Sequence, residues 1–407
     1  MHDPTGGDPT RGDPARGDPT RDGRAHPPAE AAPSETPRSR VSKRSGMKVA
    51  GWVDRLSGHI ERHPGFWIRL GRLESRLIAD RLEDIRVEKP VHVTGLARSG
   101  TTILLELLAR HPEAATHRYR DFPPVLVPWM WNRFLAYAAR GDAVATERAH
   151  GDRIMITPES PEAFEEAVWM AFFPGAHDPM RSAVLDEAAR HPEFEAFYRD
   201  HVRKLLLVRG GRRYVAKGNY NVTRLGYIRT IFPDARFVIP VRDPVWHIAS
   251  LMRQHERFAG EGARDERVRR HMRRSGHYEF GLDRRPIHTG DDTGAERVRS
   301  LWDAGREIEG WATYWALVYR HVRVTLDGSP ALRDATMVVR YEELCAEPEA
   351  TVARVLAHCG LPAGELPRVA GETIRAPDYY RPSFDAAEVA LIRHHTDDVA
   401  RSFGYGD

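Results

Sequence analysis

From residue 91 the chain reads Val91-His92-Val93-Thr94-Gly95-Leu96-Ala97-Arg98-Ser99-Gly100-Thr101-Thr102, followed by the largely apolar run 103–108. This pattern predicts a buried strand, a short loop with a glycine at each end, and a helix. Such loops bind phosphate, because the N–H groups and the dipole of a helix N-terminus attract an anion. Gly95 and Gly100 have the spacing of a Walker A loop, but Thr101 replaces its lysine and the nearest cation is Arg98. We expect a nucleotide-like phosphate here.

Strand and helix patterns alternate along the rest of the chain. Residues 60–85 and 349–358 have helical spacing, and apolar segments at 214–216, 237–241 and 337–339 are predicted as strands. Strands that are apolar on both faces and alternate with helices indicate an open parallel sheet. We therefore predict a P-loop-like, three-layer α/β/α fold with a central parallel sheet.

Composition narrows the class of protein. The chain has 407 residues, is 41% hydrophobic and carries a net charge of only +3, which argues against a general nucleic-acid binder. Cys345 and Cys359 are its only cysteines and form no disulfide framework, so a reducing, cytoplasmic location is expected. No apolar run approaches the roughly 20 residues of a membrane span, and no signal peptide is evident.

The first 46 residues differ from the rest in composition. Asp-Pro dipeptides recur there every five residues, followed by Ala, Pro, Ser and Arg, and this predicts a disordered tail over 1–46. The tail could bind an acidic partner, or Met47 could be the true start. Residues 47–407 are predicted to form a single domain. Its charged segment, about 256–300, is long for a loop and is either a lid over the substrate or a solvated, helix-rich insertion.

A second motif lies at Val241-Arg242-Asp243-Pro244-Val245-Trp246-His247-Ile248-Ala249-Ser250. Asp243 is predicted as a helix N-cap and Pro244 as the first helical residue. Arg242 then lies at the carboxyl end of a strand, where open α/β sheets bind ligands, and Ser250 follows about two turns into the helix. An arginine and a hydroxyl that converge on one anion suit a second phosphate group. Alternatively, Arg242 pairs with a carboxylate and Ser250 only fills a helix face.

Taken together, the two motifs resemble those of PAPS-dependent sulfotransferases. Residues 98–102 look like the 5′-phosphosulfate loop of that family, in the variant of its bacterial and tyrosylprotein-type branches, and 242–250 look like its 3′-phosphate motif. Weaker similarities lie at 232–237, 340–344 and 403–405. The resemblance covers roughly Pro90 to Tyr405. It implies transfer of a sulfuryl group from 3′-phosphoadenosine 5′-phosphosulfate (PAPS) to a hydroxyl of a small-molecule, lipid or glycan acceptor.

The chemistry of PAPS suits these residues, because PAPS carries two separated anionic groups. The predicted 5′ contacts are Arg98, Ser99, Gly100, Thr101 and Thr102, and the predicted 3′ contacts are Arg242 and Ser250. A sulfuryl group in transfer carries less charge than a phosphoryl group, so no metal is expected. Catalysis should rest on positioning and electrostatic stabilisation. Alternatively, Thr101 and Thr102 serve only as helix caps.

Further catalytic candidates are less well defined. Lys217 follows a predicted strand and resembles a lysine that neutralises the transferring group in glycan-modifying relatives; otherwise it is a surface lysine, and Asn219 is a further polar candidate. The family base is a histidine or a glutamate, yet residues 117–121 contain no glutamate. Asp121 is our first candidate for the base, His117 the second and Glu165 the third. Each could instead be structural.

The acceptor side is predicted from aromatic residues near the motifs. The candidates are Phe122, Trp129, Trp131, Phe134, Trp169, Phe172 and Phe173. They would suit an apolar or ring-shaped acceptor, or they simply belong to the core. Two other functional classes stay open: a catalytically inactive nucleotide-binding relative, and a small-molecule P-loop kinase, against which Thr101 argues.

Overall fold

The central feature of the computed structural model is a five-stranded sheet. The model describes residues 47–138, 146–147, 155–376 and 380–406; the predicted tail over 1–46 lies outside them. The strands are β1 (Val91–Val93), β2 (Ala114–Ala115), β3 (Thr146–Glu147), β4 (Met155–Ile156), β5 (Arg213–Lys217), β6 (Arg236–Val241) and β7 (Thr336–Arg340). The large sheet has the order β2-β5-β1-β6-β7 with every neighbouring pair parallel, and β3 and β4 form a separate antiparallel pair.

Helices connect the strands of the sheet. They are α1 (Gly51–Arg62), α2 (Pro64–Leu77), α3 (Ala79–Glu83), α4 (Thr101–Leu108), α5 (Pro128–Ala138), α6 (Glu165–Phe172), α7 (Pro192–Arg209), α8 (Leu225–Ile231), α9 (Pro244–Arg264), α10 (Glu266–Arg274), α11 (Asp292–Asp303), α12 (Glu307–Gly328), α13 (Pro330–Ala335), α14 (Tyr341–Ala346), α15 (Pro348–Cys359), α16 (Leu366–Thr373) and α17 (Ala386–Arg401). Two short 3₁₀ helices span Tyr119–Asp121 and Asn219–Thr223. The predicted strands at 214–216, 237–241 and 337–339 and the predicted helix at 349–358 are confirmed.

The two faces of the sheet belong to different hydrophobic cores, because successive residues of a strand point to opposite faces. Phe237 and Ile239 of β6 lie in one core, and Val238 lies in the other. The first core takes buried side chains from α7, α9 and α12, and the second takes them from α4 and α15. Helices therefore cover both faces, which confirms the predicted three-layer α/β/α architecture.

The charged segment 256–300 is helix-rich. It comprises the end of α9, all of α10, a connection over 275–291 and most of α11. Met272, Phe280 and Ile287 from this segment are buried in the first core, so its inner side is part of the packed structure. In the part of the chain that the structure describes, no helix has both the length and the apolar content to cross a bilayer.

Candidate functional site

The loop between β1 and α4 has a backbone that requires glycine at both ends. Gly95 and Gly100 have φ angles of 137° and 113°, in the region where side chains are strained. A Cβ on Gly95 would lie 3.2 Å from the carbonyl oxygen of Pro240, and one on Gly100 would lie 2.8 Å from the ring of Tyr341. Arg98 also has a positive φ, 72°. The neighbouring strand and α14 therefore hold the loop in one tight conformation.

A buried histidine on α9 is hydrogen-bonded to the backbone of the loop. His247 on α9 lies with Nε2 2.8 Å from the carbonyl oxygen of Ala97, and the indole N–H of Trp315 donates to its Nδ1 at 3.1 Å. Nδ1 accepts, so Nε2 carries the proton and donates to the loop. Burial lowers the pKa of His247 to about 3, which keeps the ring neutral at neutral pH. This pair of hydrogen bonds ties the loop to α9 and α12.

Replacing His247 with leucine should loosen the loop. The change removes the donor to Ala97 and leaves the buried indole N–H of Trp315 without an acceptor, a loss of about 1–3 kcal/mol for each unsatisfied group. We expect a lower thermal unfolding temperature and weaker binding of 3′-phosphoadenosine 5′-phosphate (PAP), as measured by calorimetry. The exposed His394→Leu variant is the control. Unchanged PAP affinity in the His247 variant would show that this contact does not position the loop.

The hydroxyl-bearing residues of the loop have separate environments. The Ser99 hydroxyl is buried and donates to the carbonyl oxygen of Leu96 at 2.7 Å, so it holds the loop closed. The N-cap of α4 is Gly100, and neither threonine occupies that position. The alternative of a helix cap therefore does not apply to Thr101 or Thr102.

The second motif folds as the sequence predicts and meets the loop. Asp243 is the N-cap of α9 and accepts a hydrogen bond from the Trp246 N–H at 3.1 Å, while Pro244 is the first helical residue. Arg242 directly follows β6, the neighbour of β1 in the sheet. Arg98 Nε donates to Ser250 Oγ at 3.3 Å, which joins the loop to α9.

Arg242 occupies an aromatic cage with an unused donor. Its guanidinium carbon lies 4.6 Å from the Tyr341 ring centroid and 5.8 Å from that of Tyr380, and Nη1 contacts the carbonyl oxygen of Arg98 at 3.5 Å. Its Nε is buried without a hydrogen-bond partner. A buried cation with an unpaired donor favours an anionic ligand. Sequence reasoning missed both tyrosines as parts of the site; Tyr341 falls in the similar stretch 340–344, while Tyr380 carried no signal.

Lys217 lies beside the loop at the same edge of the sheet. It ends β5, is buried, and pairs in register with Val93 at the end of β1. The hydroxyl of Thr94 donates to the carbonyl oxygen of Gly218 at 2.7 Å. The alternative of a solvated surface lysine therefore does not fit Lys217. Asn219, the first residue of the 3₁₀ helix that follows, is also buried.

The contacts of Asp121 argue against the base role predicted for it. Both of its carboxylate oxygens accept hydrogen bonds from Arg209, at 2.6 and 2.5 Å, and Oδ2 also accepts from the Arg118 N–H at 2.7 Å. Asn132 donates to Oδ1 at 3.0 Å. Burial raises the pKa of Asp121, but the charge of Arg209 more than offsets this, so the pKa lies below its ordinary value. The carboxylate is saturated, and we assign it to a structural ion pair.

The other two candidates for the base are also held in buried networks. His117 Nε2 lies 3.1 Å from Nε2 of His201, and burial lowers the pKa of His117. Glu165 accepts hydrogen bonds from the Tyr214 hydroxyl at 2.7 Å, from the indole of Trp169 at 3.1 Å and from the Asn221 amide at 3.2 Å. Glu165 is fully buried, so these contacts favour a structural role for it as well.

The predicted acceptor aromatics divide into groups. Phe122 stacks on Phe164 in the core at 5.1 Å, and Phe134 is exposed. Trp169, Phe172 and Phe173 line a cavity of about 310 Å³, which Arg224 also borders. This volume is at the lower end of the range for small-molecule sites, and its lining is largely apolar.

Comparison with known proteins identifies the family. The sequence profile of the sulfotransferase family matches residues 90–298, slightly more than half of the chain. The omega-hydroxy-beta-dihydromenaquinone-9 sulfotransferase Stf3 of Mycobacterium bovis is 24% identical over 345 residues, covering 79% of this chain and 77% of Stf3. Stf3 of Mycobacterium tuberculosis matches to the same extent.

Solved structures were compared as well. The crystal structure of sulfotransferase STF1 from Mycobacterium tuberculosis aligns with 84% of this chain and 86% of its own, at 16% identity and a TM-score of 0.45. That of STF9 from Mycobacterium avium aligns with 82% of each chain, at 15% identity and a TM-score of 0.46. The profile match, which spans both sequence motifs, shows that this chain belongs to the sulfotransferase family and is an enzyme of that kind.

Proposed function

We propose that this enzyme transfers the sulfuryl group of PAPS to a hydroxyl of an apolar, lipid-like acceptor. The observation that carries the choice of donor is the junction of the two motifs at Arg98, Ser250 and Arg242. PAPS carries a 5′-phosphosulfate and a 3′-phosphate, so its binding requires two separate cationic sites at one ligand. A donor without a 3′-phosphate would leave the buried Nε of Arg242 without a partner.

The 5′ end of PAPS would lie over the start of α4. Backbone N–H groups of Gly100, Thr101 and Thr102 would hold its phosphosulfate, with Arg98 and Lys217 as the cations. The Ser99 N–H, also predicted as a contact, instead donates to the carbonyl oxygen of Leu96 at 3.3 Å. As the bond between sulfur and the bridging oxygen breaks, negative charge grows on that oxygen, and fixed cations and dipoles stabilise it. Positioning and electrostatics supply this chemistry, and no metal is required in the proposal.

Two observations support an apolar acceptor. The cavity bordered by Trp169, Phe172 and Phe173 is aromatic, and it suits a hydrocarbon chain or ring. It also contacts Arg224, which follows the 3₁₀ helix Asn219–Thr223 and so lies a few residues along the chain from Lys217. In addition, the relative Stf3 is named for a menaquinone acceptor. An alcohol with a long apolar body fits both the aromatic cavity and the kind of acceptor for which Stf3 is named.

Calorimetry with the product nucleotide tests the choice of donor. PAP should bind tightly, while ATP with Mg²⁺ and adenosine 5′-phosphosulfate, which lack a 3′-phosphate, should bind far more weakly. Equal affinity for PAP and adenosine 5′-phosphosulfate would contradict a 3′-phosphate site at Arg242. A preference for ATP with Mg²⁺ would contradict the proposed donor altogether.

Replacing Arg242 with alanine should selectively weaken nucleotide binding. Loss of a charge-assisted contact of about 1.5–3 kcal/mol corresponds to a roughly ten- to hundredfold increase in the Kd of PAP. The affinity for adenosine 5′-phosphosulfate should change little, because that ligand lacks the group that Arg242 would bind. The exposed Arg368→Ala variant removes the same charge from an ion pair with Glu365 and Glu372 and is the control. Equal loss for both ligands would contradict the 3′ assignment.

A further inference from the structure

A buried carboxylate is connected to the start of the loop through Asn219, and it lies outside the residues considered so far. Glu279 belongs to the connection between α10 and α11, and its Oε1 accepts a hydrogen bond from the Asn219 amide at 2.6 Å. Asn219 in turn follows Lys217 by two residues, and its carbonyl oxygen lies 3.5 Å from the Thr94 hydroxyl, which makes its shorter hydrogen bond to Gly218. Two short steps therefore connect Glu279 to the residue that precedes Gly95.

Neighbouring contacts hold this segment against the 3₁₀ helix Asn219–Thr223 and against the first core. The Tyr278 N–H donates to the Tyr220 hydroxyl at 3.0 Å, which ties residue 278 to the 3₁₀ helix Asn219–Thr223. On the other side of Glu279, Phe280 is buried against Phe258 and Trp311. The position of the Glu279 carboxylate is thus determined by packing on both sides.

The pair offers two acceptor atoms without donors. Glu279 is 4% exposed and Asn219 6% exposed, yet Glu279 Oε2 and Asn219 Oδ1 both lack a hydrogen-bond partner. Buried polar atoms in native proteins are almost always paired, so two orphan acceptors in contact residues indicate a missing donor. A water molecule can donate to both atoms, and the single proton of an alcohol hydroxyl can go to one of them. The orphan atoms therefore mark a site that suits the hydroxyl of an acceptor or of water.

The carboxylate is charged at neutral pH. Burial raises the pKa of Glu279, but His277, whose Nδ1 lies 3.6 Å from Oε2, and the Asn219 amide more than offset this. The pKa of Glu279 therefore lies below its ordinary value, so the carboxylate is ionised at neutral pH and Oε2 is available as an acceptor. By contrast, Asp121 and Glu165 have their oxygens occupied by neighbouring donors.

We propose that Glu279 is the catalytic base and that the Asn219 amide, which donates to Oε1, holds its carboxylate in position. This inference rests on the proposed function. The hydroxyl oxygen attacks sulfur as its proton passes to Glu279 Oε2, a new S–O bond forms, and the bond from sulfur to the bridging oxygen of PAPS breaks. The electron pair of that bond leaves with PAP, next to Arg98 and Lys217. The products are the sulfate ester, PAP and protonated Glu279.

The test compares acceptors of different acidity in the Glu279→Gln variant. Glutamine keeps an oxygen for the Asn219 amide but cannot take a proton. With PAPS and 1-decanol, or with water as acceptor, kcat should fall about 10²–10⁴-fold, the range of general base catalysis. The KM for PAPS should change little. With 4-nitrophenol, which ionises without help near pH 8, the loss should be much smaller. A residue with a purely structural role would affect all acceptors equally.

Controls separate the possible failures. Asp283→Asn removes a carboxylate from the same segment, where it pairs with Arg269, and should leave kcat unchanged. Glu279→Asp keeps the charge and should retain activity between the wild type and Glu279→Gln, which provides a readout if the glutamine variant unfolds. Equal losses with 1-decanol and 4-nitrophenol, or no loss at all, would overturn the proposal. So would a wild-type enzyme that binds PAP but transfers to none of the three acceptors, whereas failure to bind PAP would overturn the proposed function itself.

Discussion

Replacing Arg98 with alanine is expected to reduce kcat/KM for sulfuryl transfer about 10²–10³-fold, the usual effect of removing one preorganised donor from a developing charge. The fold should be unaffected. Arg98 has a φ of 72°, and alanine also carries a Cβ, so the backbone strain is the same in both proteins. The side chain is only partly buried, and it donates a hydrogen bond from Nε to Ser250 Oγ on α9. Steady-state kinetics with PAPS and thermal unfolding would measure the two effects separately.

Two further variants sharpen this prediction. Arg98→Lys keeps the charge but loses the planar fork that reaches the 5′ group and Ser250 together, so it should recover only part of the activity. Arg368→Ala, which removes a charge from an exposed ion pair, should have wild-type kinetics. Full activity of Arg98→Ala would contradict the assignment of the loop to the phosphosulfate. A parallel loss of activity and stability would indicate a structural role.

Replacing Asp121 with alanine should have its large effect on stability. The Asp121 and Arg209 side chains are each 1% exposed, and the change leaves the Arg209 charge buried and uncompensated. Breaking such a pair lowers the free energy of unfolding by about 3–5 kcal/mol. Urea denaturation would measure this loss, and the exposed Asp398→Ala variant is the control. The activity per folded molecule should stay near that of the wild type, and a selective loss of kcat would restore Asp121 as the base.

The pH dependence of stability offers a second check on Asp121. Its pKa is lower in the folded protein than in the unfolded chain, where it is about 3.9, so the unfolded state takes up protons first as the pH falls. The contribution of the pair is therefore complete above about pH 5 and is lost as the pH falls through the folded pKa. The difference in unfolding free energy between wild type and Asp121→Ala should shrink in that acidic range. A difference that is independent of pH would contradict the ion-pair assignment.

The local structure of the two motifs could be predicted because each motif is continuous in the chain. The loop depends on two glycines whose backbone angles other residues do not readily adopt, and the N-cap at Asp243 depends on the proline that follows it. Such preferences act within a few residues of one another. Short continuous runs of apolar residues likewise predicted β5, β6 and β7, because strands inside a parallel sheet are apolar on both faces.

The environments of the buried carboxylates could not be predicted in the same way, because they depend on residues far apart in the chain. Asp121 followed the loop helix as a candidate base should, but folding brings Arg209, 88 residues later, onto its carboxylate. Glu279 lies in a charged segment with no motif, and folding places it against Asn219, 60 residues earlier. The local sequence thus specified the fold class and the local structure of the two motifs, through backbone geometry and runs of apolar residues. Tertiary packing decided which buried carboxylate has both oxygens hydrogen-bonded and which has an oxygen without a hydrogen-bond partner. The reason is that the availability of a buried acid depends on the donors that distant segments bring to it.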